Sequence, residues 1–131
     1  MRRLILLLTF LLTGPAFAEG FLDAEGFDAA TRGKTYSYSS GGAPYGAEEY
    51  LPDRRVRWSF LDGECLDGVW WQEGDFICFE YQDDPEPHCW TFQHGPSGMV
   101  ATLKGEGGGR VLYEVEQSDK PLMCLGPKVG V

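Results

Sequence analysis

Between Lys34 and Glu116 apolar and polar side chains alternate with a period of two, in runs of five to eight residues broken by glycine, proline and acidic clusters. This is the pattern of half-buried antiparallel strands. Lys34 to Ser39 places Tyr36 and Tyr38 on one face and Thr35, Ser37 and Ser39 on the other, and Arg55 to Phe60 opposes Val56, Trp58 and Phe60 to Arg55, Arg57 and Ser59. Gly68 to Gln72 and Asp75 to Gln82 flank Glu73-Gly74, a connection suited to a hairpin. In the second run Ile77, Phe79 and Tyr81 share a face. Asp83-Asp84-Pro85-Glu86-Pro87 predicts a turn, because proline cannot donate to a strand ladder. His88 to His94 resumes with Trp90 and Phe92 facing inward. Met99 to Lys104 and Arg110 to Glu116, joined across Gly105 to Gly109, predict a last hairpin with Val111, Tyr113 and Val115 alternating.

One segment breaks this period. Residues 22 to 32 predict a short helix, with Asp23, Glu25 and Asp28 near its positive end and Gly33 as a stop signal. One short helix and seven to eight strands predict an all-β meander, closed as a small barrel or folded as a sandwich.

The first eighteen residues stand apart. Arg2 and Arg3, the apolar run Leu4 to Leu12, Gly14-Pro15 and the small-residue end Ala16-Phe17-Ala18 predict a secretory leader cut after Ala18, ahead of one domain over 19–131 in the periplasm or outside the cell. Loss of Arg2 and Arg3 leaves 9 of the 11 basic side chains against 20 acidic ones, a formal charge of −11. Such a polyanion does not seek nucleic acid; a basic envelope protein is the partner its charge favours. No second apolar run has the length of a transmembrane segment.

Export places Cys65, Cys78, Cys89 and Cys124 in an oxidising compartment, where an even count reads as disulfides. Four cysteines allow three pairings. Cys78 and Cys89 lie on the same face of adjacent strands, which favours that bridge and leaves Cys65 for Cys124. No C-x-x-C is present, and His88 and Cys89, as consecutive strand residues, point to opposite faces; neither metal nor cofactor is expected.

No catalytic set is complete. His94-Gly95-Pro96-Ser97-Gly98 is a hairpin loop rather than a nucleophile elbow, and two histidines give a triad little material. The acidic residues offer many pairs but no diagnostic spacing. Arg55 and Arg57, on one strand face, have the chemistry to grip a carboxylate or phosphate, or simply to neutralise acidic neighbours. Trp70 and Trp71 cannot both face inward. Pairing Trp71 with Val69 assigns Trp71 to the core and Trp70 to an exposed binding surface with Arg55 and Arg57.

Gly33-Lys34-Thr35-Tyr36, Gly68-Val69-Trp70, Ile77-Cys78-Phe79 and Cys89-Trp90, in that order, resemble small exported bacterial β-domain proteins of unknown function, over residues 22 to 95. That resemblance implies a β domain of the cell envelope and carries no catalytic residues. Ser40-Gly41-Gly42-Ala43-Pro44-Tyr45 is loosely similar to the serine-glycine-tyrosine loop of periplasmic lysozyme inhibitors. The expected function is a non-catalytic binding module for a small apolar ligand or an envelope protein. The alternatives are an acidic inhibitor of a basic hydrolase such as lysozyme, and a hydrolase using a carboxylate pair.

Overall fold

The computed structural model describes residues 20–105 and 109–125; the leader expected at 1–18 lies outside them. Eight strands form one closed antiparallel barrel in sequence order: β1 (Thr35–Ser40), β2 (Ala43–Tyr50), β3 (Arg55–Ser59), β4 (Leu66–Glu73), β5 (Phe76–Tyr81), β6 (Asp84–Gly95), β7 (Gly98–Leu103) and β8 (Val111–Ser118). β1 pairs with both β2 and β8, so the sheet has no free edge. Of the two architectures expected, the barrel is the one formed.

The helix α1 (Ala24–Thr31) begins where the acidic pattern placed it, with Asp23 accepting from the Gly26 amide at 2.8 Å. Eight residues cannot hold a helix in water. Packing supplies the difference: Phe27 is fully buried and enters one end of the barrel, with ring centroids 5.0 Å from Trp70, 5.4 Å from Tyr50 and 4.5 Å from Phe92. Burying such a ring contributes roughly 2–3 kcal/mol, and well-oriented aromatic pairs add about 0.5–1.5 kcal/mol each. Backbone groups at the flanks of α1 are tied to the strands: the Ala24 amide donates to Gln72 Oε1 (2.7 Å), Tyr36 Oη donates to the Ala30 carbonyl (2.8 Å) and the Gly33 amide to the Tyr50 carbonyl (2.8 Å).

Both disulfides expected from the strand faces are present. Cys78–Cys89 joins directly opposed residues of β5 and β6, and Cys65–Cys124 spans 59 residues to fasten the C-terminal segment to the β3–β4 loop. In the chain-entropy account these closures contribute roughly 3 and 4 kcal/mol.

One local expectation is corrected, the turn at Pro85–Pro87, and two features of the strands are added. β2 was not foreseen as a strand, because Gly42, Pro44, Gly46 and the adjacent Glu48-Glu49 hide its period. The Pro85–Pro87 stretch is not a turn: β6 starts at Asp84, with both prolines exposed and the register shifted between Phe79 and Tyr81, where missing amide donors are tolerated. Val111, Tyr113 and Val115 form the outer face of β8, while Leu112 enters the core.

The tryptophan assignment is reversed. Trp70 is 3% exposed, edge-on to Phe27 and beneath the Arg54 guanidinium (4.9 Å), whereas Trp71 lies half-buried on the outer face opposite Cys78. Gly68 and Gln72 share the inner parity with Trp70, and the plug at this end needs a large ring more than it needs apolar neighbours along β4. Trp70→Ala is therefore expected to cost about 3–5 kcal/mol in urea unfolding and Trp71→Ala clearly less. Equal losses would contradict this placement.

Candidate functional site

With Phe27 filling one end, the inward side chains of the other half enclose a cavity of about 160 Å³ that opens at the end opposite α1. Its floor is Tyr38, Tyr50, Phe79 and Phe92; Trp58, Trp90 and Ala101 form walls, and Tyr45 and Phe60 stand at the mouth. Eight strands give a barrel wide enough either for side-chain filling or for one small ligand. Here the floor half is filled and the mouth half is not.

Two local devices create the room. A bulge at Tyr45 breaks the β1–β2 register, Tyr38 pairing with Gly46 but Ser39 with Pro44. Bulges re-aim a side chain, and this one brings Tyr45 to within 5.8 Å of both Trp58 and Phe60. Gly46 lets the Trp58 indole lie flat across β2: a Cβ at that position would stand 2.2 Å from Trp58 Cζ2. No side chain fits there without displacing the indole.

Within this aromatic enclosure lies one carboxyl group that the sequence did not single out. Glu48 is 2% exposed; its Oε1 accepts from Tyr81 Oη at 2.8 Å, and its Oε2 is buried without a hydrogen-bond partner. Burial pushes the Glu48 pKa from 4.5 up to about 8, the Tyr81 hydrogen bond opposing part of the shift. The neighbouring hydroxyls of Tyr38 and Tyr50 satisfy each other at 2.8 Å, and burial holds both far above the usual tyrosine range. At the mouth His88 Nε2 meets Asp84 Oδ2 at 2.7 Å, and that hydrogen bond, with one from the Glu86 amide, holds Asp84 below its usual value.

The expected binding residues do not converge here. Arg55 and Arg57 project from the outer face of β3, Arg57 donating to Asp67 at 2.9 Å and standing 4.0 Å from Glu49, which is the neutralising role. Trp70 is in the plug. A chemical signal for Glu48 did exist, an acid sharing parity with Tyr50, but with Glu49 beside it the parity could not be chosen from sequence. Among the described residues one group of three has metal-ligand spacing, Glu73, Cys78 and Cys89, and its two sulfurs are bonded to each other. No described helix is long and apolar enough to cross a membrane. No family model, curated protein or solved structure matches the chain.

The raised Glu48 pKa has a defined consequence for stability. The folded state holds the proton up to about pH 8 while the unfolded chain releases it near 4.5, so folding loses stability as pH rises between those values. The slope is up to about 1.4 kcal/mol per pH unit. Glu48→Gln removes it. In urea titrations from pH 5 to 8 the stability of Glu48→Gln is expected to gain on the wild type with rising pH; parallel curves would show that Glu48 ionises normally in the fold.

Proposed function

We propose that this protein is a non-catalytic binding module of the periplasm or the extracellular space, and that it takes one small, mainly apolar molecule into the open half of its barrel. The observation that carries this reading is the unfilled aromatic cavity of about 160 Å³ lined by Glu48, whose Oε2 is the one buried side-chain polar atom without a hydrogen-bond partner among the described residues. Binding pockets have that composition: largely apolar walls and a few placed polar atoms that fix orientation. The size limits the occupant, since a cavity of about 150 Å³ accepts a molecule the size of benzene. The two disulfides and the leader-like N-terminus support export, and the closed, twice-bridged barrel suits a carrier that must persist outside the cell.

A second reading has its own support. Glu48 and Asp84 line the same cavity, and their surroundings push the pKa of one up and of the other down. Such divergence is how carboxylate pairs divide acid and base roles. A hydrolase built on this pair would cleave small aryl esters or glycosides, lose activity in both Glu48→Gln and Asp84→Asn, and leave products detectable by absorbance. Binding without turnover favours the first reading.

The test of the first reading uses Ala101, which is buried in the cavity wall. Ala101→Phe places a ring in the empty volume. Titration with small aromatic compounds, followed by Trp58 and Trp90 fluorescence, is expected to saturate in the wild type and to weaken at least tenfold in Ala101→Phe, whose near-ultraviolet circular dichroism reports a retained fold. Equal binding by both proteins would place the ligand elsewhere.

A further inference from the structure

The chemistry facing Glu48 is one-sided. β1 and β2 bring Tyr38, Tyr45 and Tyr50 to the cavity, β5 brings Tyr81, and β6 brings Asp84 with His88; β3, β4, β7 and β8 bring no titratable side chain to it. No lysine or arginine lines it. Arg110 stacks on the lining residue Tyr45 at 4.9 Å and hydrogen-bonds Ser40 at 3.3 Å, and does not itself line the cavity. A carboxyl group 2% exposed, with one oxygen unpartnered and no lysine or arginine to meet it, is a cost the fold does not recover internally.

We propose that the ligand is a ring-sized organic cation, an aromatic or cyclic monoamine, whose ammonium group pairs with Glu48 Oε2 while its ring occupies the aromatic half-barrel. The proposal rests on the small-molecule reading above and names its ligand class. An ammonium donates what Oε2 lacks, and the surrounding tyrosine and tryptophan faces attract cations through their ring quadrupoles. Nine of the fifteen lining residues are aromatic, so the charge is held by faces as well as by the carboxylate. An anionic ligand would meet the carboxyl groups of Glu48 and Asp84, with His88 already hydrogen-bonded to Asp84. A neutral one of the same size fills the volume and leaves the carboxyl group's selectivity unused. The acidic chain, with formal charge −9 before any processing, also raises the local concentration of cations.

Pairing requires Glu48 to ionise. The ammonium keeps its protons, and the proton on Glu48 passes to solvent, so binding releases close to one proton per ligand well below pH 8 and progressively less as pH 8 is approached.

Benzylamine and benzyl alcohol test this, since they share a ring and a volume and differ in charge. Calorimetric titration of the wild-type protein is expected to show benzylamine binding at least tenfold tighter at pH 7.5, with proton release seen as different heats in phosphate and imidazole buffers. The benzylamine-to-alcohol affinity ratio should rise from pH 6 to pH 8 by roughly fiftyfold for a group titrating at about pH 8. Asp84 and His88 also act on the charge of benzylamine, so the part of the ratio that Glu48→Gln removes is the part that belongs to Glu48. In Glu48→Gln the benzylamine advantage should vanish while benzyl alcohol binds within twofold of wild type, which also shows the variant folded. If benzyl alcohol binds as well as benzylamine, or Glu48→Gln leaves the ratio unchanged, the cation proposal is overturned and the small-molecule reading stands. If neither probe binds, both fall.

Discussion

The pairing of β1 with β8 is the contact on which the rest of this molecule depends. Without it the eight strands would be an open sheet, with one apolar face to cover and two edges to protect. Closure turns that face into an interior of fixed circumference, where every inward side chain competes for the same volume. Phe27 settles the competition in one half by joining Tyr50, Trp70 and Phe92 in a filled plug. Once that half is full, the remaining inward side chains have no further element to close over them, and space remains.

The polar group in that space is consistent with its setting. A core that needed only stability would place an apolar residue at Glu48, because the carboxyl there gives up hydration and recovers one hydrogen bond. Gly46 and the Tyr45 bulge, on the same strand, likewise forgo regular pairing or side-chain packing near the mouth. Three departures from good strand chemistry on eight residues of β2 are concentrated where the cavity opens. Such departures cluster where a fold serves something beyond its own stability.

This concentration also explains what could be read from the sequence. Strands with a clean period, such as Val56-Trp58 in β3 and Ile77-Phe79-Tyr81 in β5, declared both their existence and their inner faces. The cysteine pairing followed from the faces of β5 and β6 alone. β2 was illegible because these departures erase the alternation that identifies a strand, and Glu48 was lost with it. Trp70 and Trp71 were misread for a different reason: the inner side of β4 carries Gly68 and Gln72, so local apolarity pointed outward, and only the helix entering from the far end of the chain reveals which ring is needed inside. Arg55 and Arg57 were placed on the right face, but what that face meets, Asp67 and Glu49, depends on register.

The Cys65–Cys124 bridge has a mechanical meaning for the barrel mouth. After β8 ends beside the plug, the chain runs back along the outside of the barrel: Thr35 Oγ1 donates to the Lys120 carbonyl, the Leu122 amide to Glu49 Oε1, and the Leu125 amide to the Gly63 carbonyl. The bridge ends this path on the β3–β4 loop, one of the four loops that frame the opening. One quadrant of the rim is thus moored covalently to the chain that descends from the opposite pole, so the β3–β4 loop is held from outside the barrel as well as by its own strands.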